Sequence, residues 1–176
     1  MKHFLVVVDI QKDFVDGSLG TAEAVAILEK AAAKIKAFEG EIFVTFDTHF
    51  ENYMDTAEGK KLPVPHCVVD TDGWQLHEKI AAALANISYT PVKKRTFGSV
   101  ELPELIRQAA AGEDFDVMLI GLCTDICVVS NALILKANFP EKEICVDAAC
   151  CAGVTPQSHD AALTTMQMCQ IRVENA

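Results

Sequence analysis

Short apolar runs of strand length alternate with helix-period segments along the whole of this 176-residue chain. That alternation restricts the fold more than any other feature. His3–Val8 is apolar, β-branched and followed by an acid, Asp9; Glu41–Phe46 repeats the pattern and runs into Asp47. Ile87–Val92 leads into Lys93-Lys94-Arg95, Asp116–Ile120 stops at Gly121, Glu143–Val146 is a fifth run and Ile171–Val173 a short sixth. Between them, Thr21–Glu39 carries Val25, Leu28, Ala32, Ile35 and Phe38 at helical spacing and stops at Gly40. Trp74–Leu84 and Val100–Ala111 read as further helices, the latter starting near Pro103 and closed by Gly112. Ile126 to about Ala137 follows, then Pro156–Cys169 with Thr155 as N-cap. The pattern predicts an α/β fold: one domain over residues 1–176, built on a doubly wound, mostly parallel six-stranded sheet with helices on both faces.

A chain with 51% hydrophobic residues and a net charge of −10 suits a packed globular protein, not a partner of nucleic acid or an anionic membrane surface. No apolar run is long enough to cross a membrane, and the N-terminus lacks the features of a signal peptide. Seven cysteines, an odd number, lie in or beside the predicted strands and helices; reduced thiols in a cytoplasm fit this better than a disulfide framework. Adjacent Cys150 and Cys151 read as structural.

In a doubly wound sheet, ligands bind outside the carboxyl ends of the strands. Asp9, Asp47, Lys94 and the turn before Cys127 all fall there. Thr124 or Asp125 can cap the helix after Gly121, which places Cys127 in its first turn, where the dipole and free N–H groups lower a thiol's pKa and offer donors to an oxyanion. A thiol attacks as thiolate, so it needs a base and a compensating cation; Asp9 and Lys94 supply those residue types. Asp47 and His49, two apart in extended chain, point the same way. With His66, held by Pro65, they form a set of two histidines and a carboxylate suited to zinc, with iron or manganese as alternatives. Glu58 is a more distant fourth candidate. His77 and His159 read as packing or hydrogen-bonding residues. The long stretch Asp47–Gly73 is of a length that usually carries function. No phosphate-cradling glycine loop and no Gly-x-Ser-x-Gly elbow occurs, and Cys123 and Cys127 do not make a Cys-x-x-Cys pair.

Several segments together resemble the isochorismatase-like cysteine hydrolases, and within them the nicotinamidase/pyrazinamidase branch. They are Val8-Asp9-Ile10-Gln11-Lys12-Asp13-Phe14, Asp47-Thr48-His49, Leu62-Pro63-Val64-Pro65-His66-Cys67-Val68, Lys94-Arg95-Thr96-Phe97 and Gly121-Leu122-Cys123-Thr124-Asp125-Ile126-Cys127-Val128. The resemblance covers essentially the whole chain. It implies a triad of Asp9, Lys94 and Cys127, and a metal site of Asp47, His49 and His66. It also implies a cis peptide at Leu122–Cys123, an oxyanion held by the N–H groups of Cys123 and Cys127, and a substrate-stacking wall at Phe14. The implied activity is deamidation of a small carboxamide such as nicotinamide, through a thioester and with release of ammonia. Alternatives are an N-carbamoyl or ureido compound, an isochorismate-like vinyl ether, or a non-catalytic relative that binds a metal or ligand. A homo-oligomer is implied only loosely. The chain departs from the branch at Thr48, where tryptophan is usual, after the lysine at Gly98-Ser99-Val100-Glu101-Leu102-Pro103, and at Asp70-Thr71-Asp72-Gly73.

Overall fold

The computed structural model describes residues 1–176. Six strands form one sheet: β1 (Lys2–Val8), β2 (Glu41–Asp47), β3 (Tyr89–Lys94), β4 (Phe115–Leu122), β5 (Glu143–Ala152) and β6 (Arg172–Glu174). Their order is β3-β2-β1-β4-β5-β6 and every pairing is parallel. The chain winds outward from β1 to β3, then restarts at β4 on the other side, so the direction of winding reverses between β1 and β4. The crevice outside the carboxyl ends of those two strands is the expected ligand site.

Period-two alternation in β1 feeds both faces of the sheet. Phe4, Val6 and Val8 join a core under α6 (Leu102–Ala110), α7 (Val129–Asn138) and α8 (Pro156–Met168). Leu5 and Val7 join a second core under α1 (Lys12–Val15), α2 (Ala22–Ala26), α3 (Leu28–Ala37) and α5 (Glu78–Leu84). All five residues from Phe4 to Val8 are fully buried. Burying each large side chain stabilises the fold by about 2 kcal/mol, which is why an uninterrupted apolar run can sit only at the centre of such a sheet.

Two glycines serve the backbone. A Cβ on Gly121, which has φ +124°, would lie 2.1 Å from the Val8 carbonyl oxygen, where β1 and β4 converge. One on Gly40 would lie 2.2 Å from the His3 carbonyl oxygen, so the chain leaving α3 passes against β1.

Several boundaries differ from the sequence expectation. The predicted Thr21–Glu39 helix is two helices meeting at Ile27, with the Thr21 hydroxyl accepting from Ala24 N–H at its start. β3 lies two residues later than predicted, which places Lys94 at its last position. α5 begins at Glu78, with His77 as its cap, and Trp74 ends a short 3-10 turn instead. β5 runs on to Ala152: its small Ala-Ala-Cys-Cys-Ala stretch gives little strand signal by itself but continues the ladder past a register shift at Leu119/Gly121. The long stretch after β2 holds a 3-10 turn at Tyr53–Asp55 and the short helix α4 (Ala57–Lys61). It is pinned to the sheet edge by His49 N–H donating to the Cys67 carbonyl and Val69 N–H to the His49 carbonyl, both at 2.9 Å.

Candidate active site

Asp9 leaves β1 with φ +47° and is fully buried. Its Oδ1 accepts the Thr45 hydroxyl at 2.6 Å, and its own N–H donates to that hydroxyl oxygen at 3.2 Å. Its Oδ2 lies 2.6 Å from Lys94 Nζ yet accepts no well-directed hydrogen bond, which leaves a lone pair unpartnered in the interior. Lys94 is shared more widely. Its ammonium also reaches the Thr96 carbonyl at 3.1 Å, Asp47 Oδ1 at 3.4 Å and Cys127 Sγ at 3.5 Å. Three residues from β1, β3 and the segment after β4 therefore meet at the reversal point of the sheet.

Cys127 is presented by a wide turn, Thr124–Val128, in which the Cys123 carbonyl accepts the N–H groups of both Ile126 and Val128 before α7 begins. The Leu122–Cys123 peptide is cis. Neither Thr124 nor Asp125 caps this turn, contrary to the sequence expectation. The Thr124 hydroxyl bonds His159 Nδ1 at 2.8 Å, and Asp125 accepts Val154 N–H at 3.1 Å. These side chains tie the turn to the chain around the start of α8. The expectation of a lowered thiol pKa is also corrected. Burial pushes the Cys127 thiol well up and the Asp9 charge adds to this, while Lys94 pulls the other way. Burial likewise raises the Asp9 carboxyl, against the pull of Lys94. For Lys94, burial works against its charge, but Asp9, Cys127 and Asp47 outweigh it and hold the amine above its ordinary range.

Beside this centre, Asp47, His49 and His66 bring one ligand atom each to within 4.8 Å of one another, all buried. His49 Nε2 lies 3.0 Å and His66 Nε2 3.5 Å from Asp47 Oδ2. His66 Nδ1 donates to the Val64 carbonyl at 2.8 Å, which fixes the tautomer and leaves Nε2 as the free donor atom. Glu58 Oε1 is 3.6 Å from His49 Nε2 and 3.7 Å from His66 Nε2, closer than the sequence suggested. Burial pushes the Asp47 carboxyl up, but the two histidines and Lys94 outweigh it and hold it below the usual range. Asp9 and Asp47 lie against the single ammonium of Lys94, and Glu58 adds a third carboxylate beside the two histidines. Two imidazoles plus that excess negative charge form a donor set suited to a divalent metal.

Both groups open on a cavity of about 240 Å³ whose walls include Phe14, Leu19, Leu62, Phe97, Ile126 and Val154. Cys123 and Cys127 lie in its lining, and no lysine or arginine does. Phe14 packs against His66 with ring centroids 5.4 Å apart. Three supporting residues escaped the sequence reading: Thr45, Gln11 and Asn131, each fully buried. For Thr45 the available signal was a polar side chain inside an otherwise apolar strand. His77 caps α5 and His159 bonds Thr124, the hydrogen-bonding roles read for them.

A parallel α/β sheet with a cysteine, a lysine and an aspartate gathered at its reversal point, next to a histidine–carboxylate cluster, defines a recognisable class of protein. The chain belongs to the isochorismatase domain family, whose model matches residues 3–175. It is 25% identical to the nicotinamidase/pyrazinamidase of Mycobacterium tuberculosis (strain ATCC 25618 / H37Rv), over 96% of each chain. Among solved structures it is similar to the nicotinamidase/pyrazinamidase of Bacillus subtilis, with a TM-score of 0.87 at 22% identity, covering 99% of this chain and 100% of that one. It is also similar to the pyrazinamidase of Pyrococcus horikoshii in complex with zinc, with a TM-score of 0.79 at 23% identity over 98% of each chain.

Proposed function

We propose that this protein hydrolyses the amide bond of a small, uncharged ring carboxamide such as nicotinamide, with Cys127 as nucleophile. The observation that carries the reading is the Lys94 ammonium, which lies 2.6 Å from Asp9 Oδ2 and 3.5 Å from Cys127 Sγ and so gathers a buried carboxylate, an amine and a thiol at one centre. Kinship with nicotinamidases supports it. The substrate ring lies against Phe14, and its carbonyl faces the Cys127 turn. Asp9 takes the thiol proton as sulfur attacks the carbonyl carbon, and the N–H groups of Cys123 and Cys127 hold the oxyanion. Lys94 keeps the charge of thiolate and carboxylate balanced. Asp9 returns the proton to the leaving nitrogen, ammonia departs, and a thioester remains. Asp9 then takes a proton from water as that water attacks the thioester, and the acid product leaves with the thiol restored.

Asp47, His49 and His66, with Glu58 alongside, are the residues that would hold a metal, zinc before iron or manganese by donor type. When bound, that metal supplies a positive charge that orients a ring nitrogen or a water. A substrate bearing a carboxylate would meet no cationic side chain in the cavity and would face an excess of acids, which favours the neutral amide over the vinyl-ether and ureido-acid readings. Ammonia release from nicotinamide and other small amides tests the proposal. Cys127→Ala is expected to lower it by a factor on the order of 10⁴ or more, and persistence of activity in that variant would remove the mechanism. Chelation followed by re-addition of zinc, iron or manganese in the same assay identifies the metal.

A further inference from the structure

We infer that Asn131 is a positioning residue that sets where the Phe97 wall of the cavity stands relative to Cys127. Asn131 lies on α7, one turn beyond the nucleophile, and is fully buried. Its Nδ2 donates to the Cys127 carbonyl at 2.8 Å and to the Phe97 carbonyl at 3.1 Å, and its Oδ1 accepts Ser99 N–H at 2.9 Å. Both amide protons and one oxygen lone pair are thus used on backbone, and the three groups they meet belong to two separate segments. One segment carries the nucleophile. The other, residues 97–99, follows Lys94 and joins β3 to α6.

Packing holds that second segment unevenly, with Ser99 buried. Phe97 is 44% exposed although its side chain lines the cavity, so packing fixes it on one side only. The Ser99 hydroxyl faces the other way and accepts Leu102 N–H at 3.1 Å, capping the start of α6. Gly98 passes so close to α7 that a Cβ there would lie 2.4 Å from Ile134 Cδ1. A loop with a glycine and one half-exposed aromatic has many conformations to lose on ordering. Three buried hydrogen bonds from a single rigid amide select one of them, and leaving those backbone groups unmet in the interior would be costly. Placing the carboxamide four residues after the nucleophile makes the distance from sulfur to wall a property of one helix turn, because both ends of the measurement hang on it.

This inference uses the amidase reading only for its kinetic readout, and the test has a second arm that does not. In the full-length protein, Asn131→Ala is expected to speed backbone amide hydrogen exchange at Ser99 at least tenfold while amides of β1 and β4 keep their protection. The KM for nicotinamide is expected to rise about fivefold to tenfold with kcat changed less than twofold. In a Phe97→Ala background the same substitution is expected to change KM little, because the wall it positions is already gone. Asn131→Asp is isosteric and keeps the acceptor for Ser99 N–H while losing both donors. It is expected to retain the Ser99 protection and still raise KM, and it stands in if the alanine variant does not fold. Loss of protection at Ser99 only in step with the whole sheet would overturn the inference, as would a full KM effect persisting without Phe97. If the wild-type protein hydrolyses no amide, the functional reading fails on its own and the exchange measurement still decides the role of Asn131.

Discussion

Two buried aspartates in this molecule each sit against a lysine, and they behave in opposite ways. Asp9 lies 2.6 Å from Lys94, and Asp147, on β5, lies 2.7 Å from Lys34; both aspartates are essentially inaccessible. Asp147 is fully served: Oδ2 meets Lys34, Oδ1 accepts Asn175 Nδ2 at 3.0 Å, and Lys34 itself reaches solvent. Burial pushes its carboxyl up, but the hydrogen bonds from Lys34 and Asn175 outweigh this and hold it below the usual range. Asp9 is served on Oδ1 by Thr45, while its Oδ2 faces a lysine divided among Asp47, Thr96 and Cys127. There burial wins and the carboxyl is raised. The same residue pair gives a lowered carboxyl where each oxygen has its own donor, and a raised one where burial is complete and the lysine is shared.

The sharpest way to break that contrast is to neutralise Asp9, the base of the proposed mechanism. Asp9→Asn keeps the shape and the Thr45 contact but removes the base. Amide hydrolysis is expected to fall roughly 10³- to 10⁴-fold, while stability in urea falls by roughly 1–3 kcal/mol, because the buried Lys94 ammonium loses one anion and keeps Asp47. A variant that lost stability and kept its turnover would make Asp9 a structural residue, as Asp147 is.

Lys94→Met comes next and separates the lysines. It strands Asp9 and Asp47 as buried carboxylates with no ammonium between them. Removing one partner of a buried charge cluster costs roughly 3–5 kcal/mol, to be read as a drop in the urea midpoint alongside lost activity. The partly exposed Lys34 has no such consequence, since water can replace part of what it gives Asp147.

How much of this was legible beforehand follows the same division. Strand runs and helix faces were readable because burial of β1, β2 and β4 demands unbroken apolar stretches, and acids, an amine and a thiol stood out at the strand ends. Lys94 lies against both Asp9 and Cys127, and Asp47, His49 and His66 cluster beside them. What could not be read was how each group is served. Whether a carboxylate has one partner or three depends on residues distant in sequence, such as Thr45 for Asp9 or Asn175 for Asp147. The raised Cys127 thiol is one such case: its place near a helix start is visible in the sequence, but its full burial beside Asp9 is not. The kink at Ile27 and the extension of β5 through its alanines and cysteines are likewise set by tertiary packing, against weak local signals.

The smallest expected effect is the most diagnostic for the structural aspartate. Asp147→Asn removes charge-assisted hydrogen bonds and leaves Lys34 without its anion, at a cost of about 2 kcal/mol at neutral pH, and it should leave amide hydrolysis untouched because the pair lies outside the catalytic cavity. Its pH dependence carries a definite sign. A carboxylate held below its ordinary range adds stability that is fully present above its unfolded pKa of roughly 4 and is lost as pH falls through the lower folded value. Lys34 is raised, chiefly by its bond to Asp147. Its contribution is therefore complete below roughly pH 10 and disappears only as pH climbs through the folded value. Urea unfolding of wild type and Asp147→Asn should therefore give a gap that is constant between pH 6 and 8 and narrows below about pH 4. A gap that held its width down to acid would mean that Asp147 contributes shape and not charge, and the distinction between the two aspartates would then rest on Asp9 alone.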